Sequence, residues 1–321
     1  MSGRIPKVVV IGSVYVDMAV KCSDFPGPGE TVEGTGFSCV PTGPGLNRAV
    51  EAAHCGCETY LMSKVGDDHF GKSIRENVSS HGVNSDFLYT AQAISTGIIV
   101  TLANSLGDNS SCISAGANRA LSPDEIACAS AEQLIGSADV CLIHDDLPGD
   151  VVITAIRIAN LYSTKVVLEV QLAIDNTGEL KDSDWPAEYY SANILIPHFD
   201  NTGITAESGA GNVHKIKFVA SELVAGGIET VVVKIGTRGT LLIDRQGSTC
   251  IPGFELDILD QSASDEAFAG ALAASFGSGD EPKKAVRFAS AAGALAASKF
   301  GSQDALPTKE EIIELLQKQP D

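Results

Sequence analysis

The sequence predicts an α/β fold: a three-layer αβα sandwich with a mostly parallel central sheet and a small β-sheet lid. Short runs of β-branched and apolar residues, typical of buried strands, recur along the chain. From residue 121 onward, helical segments separate these runs at the spacing of β–α–β units. Glycine accounts for 32 of 321 residues and aromatic residues for 6%, which suits a globular protein with many tight turns. No linker or repeat divides residues 1–321, so we expect a single domain.

The individual elements follow from their residue patterns. Residues 7–13 (KVVVIGS) are a β-branched run with a small-residue end, which predicts the first buried strand. Residues 14–41 and 95–115 are half-polar and turn-rich with short alternating pieces, so we expect them to form the inserted lid. The other predicted strands cover 59–65, 140–143, 166–170, 194–196, 230–235 and the hairpin 240–251. The predicted helices cover 42–53, 71–81, a segment from 121, 150–162, 215–225, 266–278, 282–299 and 308–318.

The charge balance excludes two classes of partner. The chain has 22 Lys and Arg against 41 Asp and Glu, a net charge of −19. A field of this sign repels nucleic acids and anionic membranes, so we expect neither as a partner. It also means that a polyanionic ligand would depend on a local helix terminus or a metal ion.

The eight cysteines indicate buried, reduced thiols and not a disulfide framework. They form no CxxC pair, and Cys55 and Cys57 are too close and too isolated for a zinc site. The spacing of His54, His144 and His198 does not support a metal site either. No run of about 18 apolar residues is present, and we therefore expect a soluble, cytoplasmic protein.

One stretch, residues 260–270 (DQSASDEAFAG), has the features of a phosphate site. A strand-like segment ends near Leu259, a turn of small residues follows, and a helix is predicted to begin near Glu266. Free backbone N–H groups and the positive end of the helix dipole then meet at one point, which favours an anion. The alternative is a plain helix start, capped by Ser262 or Ser264.

Seven segments together resemble the ribokinase/PfkB family of sugar and nucleoside kinases. The resemblance covers nearly the whole chain, and its strength lies in the order of the motifs, since each alone is weak. The segments are GSVYVD (12–17), FPGPGET (25–31), TGPGLNRA (42–49), VGDDHFG (65–71), AGANRAL (115–121), KIGTRG (234–239) and DQSASDEAFAG (260–270).

This resemblance implies ATP with Mg²⁺ as phosphoryl donor, a sugar or nucleoside hydroxyl as acceptor, and a homodimer formed through the lid. It places Glu266 at the position of the catalytic base and Ala263, Ser264 and Asp265 at the anion hole. It assigns substrate binding to Asp17, Gly43, Asn47 and Asp146, and nucleotide binding to Lys234, Gly236, Arg238 and Gly239. The magnesium-holding N-xx-E motif falls on His198 and Asn201.

The chain departs from the family pattern where the chemistry occurs. Glu266 replaces an aspartate, and a displacement of about 1 Å in such a group can cost about 10²-fold in rate. Asp265 replaces a glycine and would repel a phosphate. His198 and Asn201 replace the residues of the magnesium motif, and Tyr15 replaces a sugar-binding asparagine.

Three functions remain open at this point: an active kinase with Glu266 as base, a sugar- or nucleoside-binding pseudokinase, and a regulatory subunit without a ligand. The first two are favoured by Asp17 and Asn47, although Asp17 could be a plain turn carboxylate and Asn47 a helix cap. Likewise, Gly236 and Gly239 could form an ordinary turn.

Overall fold

The computed structural model describes residues 4–104, 106, 108–172, 185–199 and 209–320, with backbone alone at 209–212. In chain order its strands are β1 (Lys7–Ile11), β2 (Tyr15–Cys22), β3 (Gly34–Thr42), β4 (Glu58–Gly66), β5 (Leu88–Ala91), β6 (Ile98–Ala103), β7 (Asn109–Ser114), β8 (Val140–His144), β9 (Lys165–Gln171), β10 (Ile194–His198), β11 (Thr230–Lys234), β12 (Thr240–Asp244) and β13 (Gly247–Ile251). Its α-helices are α1 (Pro44–His54), α2 (His69–Ser80), α3 (Pro123–Ile126), α4 (Ala129–Ser137), α5 (Gly149–Leu161), α6 (Gly209–Gly226), α7 (Ser264–Gly277), α8 (Pro282–Ala297) and α9 (Lys309–Lys318).

The central sheet has nine strands in the order β13-β12-β11-β10-β9-β8-β1-β4-β5. All neighbouring pairs from β11 to β5 are parallel, and β12 and β13 join as an antiparallel hairpin at one edge. The carboxyl ends of the parallel strands therefore share one edge of the sheet, where α/β proteins place their ligands. This confirms the predicted fold class.

Consecutive residues of the inner strands place their side chains alternately in two hydrophobic cores, one on each face of the sheet. In β1, Val8 and Val10 lie in one apolar cluster, and Val9 and Ile11 in the other. Helices α1, α2, α7, α8 and α9 contribute to the first cluster, and α3 to α6 to the second. Both faces of the sheet are covered, which explains why these strands are continuous apolar runs with no polar alternation.

The lid is a separate sheet in the order β3-β2-β6-β7. Strands β2 and β6 pair in parallel, and the two outer pairs are antiparallel. The lid strands lie within residues 15–42 and 98–114, whereas the sequence predicts the lid at 14–41 and 95–115. The outer strands β3 and β7 are largely exposed, whereas β2 and β6 are mostly half-buried.

Helices α1 and α7 cross in close contact, and this crossing brings their polar residues together. A Cβ atom at Gly270 would lie 2.7 Å from the backbone oxygen of Arg48 and 2.7 Å from the Cβ of Glu51. Gly43, which precedes α1, has φ of +122°, and a Cβ there would lie 2.9 Å from the backbone oxygen of Ser13. Glycine at both places allows α1 to approach α7 and the end of β1.

Several details of the sequence-based prediction are wrong. No strand ends near Leu259: residues 252–263 are irregular, and the Leu259 N–H donates to the oxygen of Ala297 at the end of α8. Helix α7 begins at Ser264, and its N-cap is Ala263, which makes no side-chain hydrogen bond. Asn47 lies inside α1, which is capped by Gly43. The short strand β5 was not predicted.

The structure also bears on disulfide formation, metal binding and membrane insertion. All eight cysteines are free thiols, and Cys22, Cys55, Cys57 and Cys141 are buried. Within the described ranges, no three His, Cys, Asp or Glu side chains are grouped so as to hold a metal ion. None of the helices in those ranges has the length and apolarity that a bilayer span requires.

Candidate functional site

The first turn of α7 carries the carboxylates that the sequence singled out. Asp265 forms an ion pair with the Lys234 ammonium, which extends from the end of β11. Lys234 Nζ also donates to the Ser264 hydroxyl at 3.2 Å and lies 5.6 Å from the centroid of the Phe268 ring. The residue expected to bind nucleotide is therefore engaged with the residue expected at the anion hole.

His198, at the end of β10, lies on the other side of this pair. Its Nδ1 is 3.7 Å from Asp265 Oδ2, and its Nε2 is 2.9 Å from Glu169 Oε1. Burial alone would lower the pKa of His198, but the hydrogen bond and charge of Glu169, with a further contribution from Asp265, raise it above the ordinary value. His198 thus lies between two carboxylates, and its contact with them favours its protonated form.

Arg48 on α1 continues the same network. Its Nη2 donates to Glu169 Oε1 at 2.9 Å, and its Nε contacts Glu169 Oε2. Both side chains are almost fully buried, with 2% and 1% of their surfaces exposed. The Nη1 atom of Arg48 is 3.8 Å from Glu266 Oε1. A buried pair of this kind requires both members, because either one alone would be an uncompensated charge in the core.

The network contains three basic and three acidic side chains. The basic ones are Arg48, His198 and Lys234, and the acidic ones are Glu169, Asp265 and Glu266. We call these six residues the ion network. It extends from the first turn of α7 through the ends of β9, β10 and β11 to α1, along the carboxyl edge of the sheet.

The two carboxyl groups of α7 differ in their pKa. Burial would raise the pKa of Asp265, but the charges of Lys234 and His198 lower it below the ordinary value, so this group is ionised. Burial raises the pKa of Glu266, and the charge of Arg48 only partly offsets this. Glu266 is thus a better proton acceptor than an exposed glutamate, although it lies close to a guanidinium group.

The residues expected to bind the acceptor lie near the junction of lid and body. Asp17 is a strand residue of β2 and not a turn carboxylate, and it accepts a 3.0 Å hydrogen bond from Thr101. Asp146 follows β8, where it contacts the Ser13 hydroxyl and has His144 Nδ1 at 2.9 Å. Burial would raise the pKa of Asp146, but these two partners lower it.

Four buried side-chain atoms of α1 have no hydrogen-bond partner among the described residues, and two of them belong to adjacent residues near its N-terminus. One is Asn47 Oδ1, whose amide nitrogen donates to Ser302 at 2.9 Å. The other is Arg48 Nη1, which lies within ion-pair distance of Glu266 but beyond hydrogen-bond distance. Buried polar groups are generally satisfied, so an acceptor and a donor left open side by side on α1 indicate a missing polar partner.

A cavity of about 530 Å³ borders the ion network at Lys234, His198 and Asp265. Gly236 and Gly239, with φ of +62° and +109°, form a tight turn beside it together with Arg238. Lys234, His198 and Asp265 close one end of the cavity. The structure therefore brings Lys234, Gly236 and Gly239 to one cavity lining, as the sequence predicts for a nucleotide site.

The phosphate end of this site does not fit ATP with Mg²⁺. The half-exposed carboxylate of Asp265 lies at the helix N-terminus, where an anion would otherwise be stabilised. The cations nearby are already paired with carboxylates. His198, at the position expected to help hold the metal, has a pKa raised by Glu169 and Asp265, which favours its cationic form, and Asn201 lies outside the described residues.

Arg48 and Glu169 were missed as site residues by sequence reasoning. Glu169 stands within the apolar run of β9, VVLEV, where every neighbour is buried. A single acidic residue in such a run requires a buried partner, so this signal was available. The identity of the partner was not, because Arg48 is 121 residues away in sequence.

A family model and curated relatives match most of the chain. The model of the pfkB family carbohydrate kinases matches residues 5–309. Ribokinase of Bacillus subtilis (strain 168) is 30% identical over 317 residues, covering 96% of this chain and 99% of that protein. Deoxyribokinase of Salmonella typhi is 28% identical over 313 residues, covering 96% and 98%.

Solved structures agree with the fold. A structure of Arabidopsis thaliana ribokinase complexed with ribose and ATP superposes with a TM-score of 0.83 at 24% identity, covering 98% of this chain and 99% of that one. Ribokinase from Thermotoga maritima gives a TM-score of 0.82 at 23% identity, covering 98% and 100%.

Proposed function

The chain belongs to the pfkB family of carbohydrate kinases, and we propose that it binds a sugar or nucleoside while transferring phosphate to it slowly or not at all. The observation that carries this proposal is the ion pair between Asp265 and Lys234 at the start of α7. It puts a fixed negative charge where phosphoryl transfer needs a site complementary to negative charge. Binding of Mg²⁺ and ATP in the family's manner would require this pair to separate.

Ligand binding on the acceptor side is supported by the open polar atoms of α1. Asn47 Oδ1 needs a donor, and Arg48 Nη1 needs an acceptor. A hydroxyl group can serve as either, so a polyhydroxylated ligand satisfies both atoms without adding a charge. Asp17 and Asp146 offer further acceptors, which suits the hydroxyl groups of ribose, another sugar or a nucleoside. This favours a ligand-binding protein over a regulatory subunit without a ligand.

The second candidate is an active kinase with Glu266 as its base. The raised pKa of this carboxyl favours proton abstraction. Against it stands Arg48, which lies 3.8 Å from Glu266 and stabilises the ionised form before any substrate binds. The two candidates make opposite predictions for turnover.

We expect sugar binding without turnover. Calorimetric titration with pentoses, hexoses and nucleosides should detect binding of at least one of them, and ADP release with that ligand and MgATP should stay at the background rate. Asp17→Asn should weaken the binding about 10-fold, because an amide is a poorer acceptor for a hydroxyl than a carboxylate is.

Glu266→Gln is the control for the opposite outcome. If the wild type releases ADP rapidly and this variant does not, Glu266 is a working base and the protein is a kinase. If no compound of the panel binds, and Asp17→Asn has no effect on any ligand, the chain is a regulatory or structural protein.

We further propose that the lid mediates a homodimer. Val40 and Ile113 are 45% and 61% exposed, and the strand register places them in one row across the lid through Asp17 and Ile99. Exposed apolar side chains on a sheet that stands off the core are typical of a contact surface.

Sedimentation velocity should therefore give a dimer for the wild type and a monomer for Ile113→Lys, since a buried lysine opposes association. Leu161→Lys is the matched control, because Leu161 is 72% exposed on α5, away from the lid, and should leave the dimer intact. A monomeric wild type, or equal behaviour of both variants, would contradict a lid dimer.

A further inference from the structure

We infer that the cavity beside α7 binds a nucleoside or a similar flat heterocycle that carries no phosphate group. This rests on the proposed function, in which the Asp265–Lys234 pair occupies the phosphate position. It goes further by assigning a ligand class to the cavity itself: an uncharged ring system, selected against its own phosphorylated forms.

The walls of the cavity suit a flat ring. Small residues from three segments line it: Gly236 and Gly239 of the turn after β11, Gly253, and Gly293, Ala294 and Ala297 of α8. Phe254, Leu256 and Ile258 add larger apolar surface. The volume of about 530 Å³ lies in the range of small-molecule sites, which are mainly apolar with a few polar groups that fix orientation.

The polar groups that line the cavity are mostly uncharged. Thr240 and Ser290 lie in the lining with their hydroxyls 3.0 Å apart, and Thr237 and Gln261 are also there. Hydroxyl and amide groups can donate and accept, so they match the mixed donor and acceptor edge of a nucleobase or the hydroxyls of its ribose. None of these four residues provides the charge that a phosphate would require.

The charged end of the cavity opposes a phosphate. The Asp265 side chain is 48% exposed, more than the 27% of its partner Lys234. His198 is shared between Asp265 and Glu169. Because Lys234 and His198, the basic residues of the network in this part of the described lining, already contact carboxylates, and the whole chain carries a net charge of −19, an added phosphate would face the carboxylate of Asp265. An uncharged ligand leaves the network intact.

Calorimetry with adenosine, AMP and ATP, each with and without Mg²⁺, tests this inference directly. Adenosine should bind at least about 10-fold more tightly than ATP, with AMP between them. In Asp265→Asn, which keeps the size of the side chain but removes its charge, the affinity for ATP should rise at least about 10-fold while that for adenosine stays the same. Asp124→Asn changes the net charge equally on exposed α3 and should alter neither affinity.

A blocking variant locates the ligand. Ala294→Trp fills the cavity from α8 and should abolish adenosine binding, with retention of the wild-type circular dichroism spectrum as the check on folding. Adenosine binding that persists in this variant would overturn the inference. So would a wild type that binds ATP as tightly as adenosine, or that binds neither.

These outcomes are distinct from a failure of the proposed function. Rapid ADP release with a bound sugar would refute the loss of turnover. Absence of adenosine binding, combined with sugar binding and no ADP release, would refute only the present inference.

Discussion

Arg48→Met should lower the free energy of unfolding by about 3–5 kcal/mol. Arg48 is the principal partner of Glu169, which is almost fully buried between α1 and the central strands. Without Arg48, the Glu169 carboxylate keeps only His198 as a cationic partner, and burying such a charge in an apolar layer is strongly unfavourable. Urea denaturation followed by circular dichroism provides the measurement, with the slope compared between wild type and variant.

Two controls separate charge from packing. Arg157→Met removes an exposed ion pair with Glu188 and should have a much smaller effect on stability, because solvent screens such a pair. The double variant Arg48→Met/Glu169→Leu should recover a large part of the lost stability, because neither charge is then left alone. A loss for Arg48→Met no greater than that for Arg157→Met would mean that the network does not stabilise the fold.

The second large effect is a fall in stability as pH rises above neutrality. The pKa of His198 is raised in the folded protein by its hydrogen bond to Glu169. A group of this kind contributes its full stabilisation below its ordinary pKa of about 6.5, and the contribution is lost as pH rises through the folded value. The contribution of a hydrogen bond to a charged group is about 1.5–3 kcal/mol, which sets the size of the expected fall.

The variant His198→Gln isolates this titration. Glutamine can still donate to Glu169 but does not titrate, so its stability should vary less between pH 6 and pH 9. Burial also raises the pKa of Glu51 and raises that of Asp145 to about 6. The titration of these two groups also makes the protein less stable as pH rises. The quantity to compare is therefore the difference between the pH profile of the wild type and that of His198→Gln. Parallel profiles would show that His198 is not protonated in the folded protein.

The fold could be predicted from the sequence wherever the local residue pattern matches the burial of the element in the folded protein. The run at β1 is buried on both faces, and its unbroken β-branched composition is typical of that position. Ile258 and Leu259 gave a similar signal but lie in an irregular segment, where about half of each side chain is exposed. That segment hydrogen-bonds to the end of α8, a tertiary contact that strand propensity does not contain.

The candidate site could be predicted from the sequence only in part. The sequence placed the Asp265 carboxylate at the start of a helix, as the structure does, and predicted that it would repel a phosphate. It did not identify Lys234 as the compensating charge, because the two residues meet only when β11 and α7 are brought together. The same holds for Arg48 and Glu169, whose contact depends on the packing of α1 against the sheet.

The ion network also couples the effects of substitutions at its six positions. A single change that removes Arg48 leaves Glu169 buried with one cationic partner fewer, and a change at Asp265 removes a carboxylate that Lys234 and His198 both contact. Charges in mutual contact are not independent, so substitutions made one at a time pass through less stable intermediates than substitutions made together. A change in the charge of this cleft therefore involves several residues on five different elements, α1, α7, β9, β10 and β11.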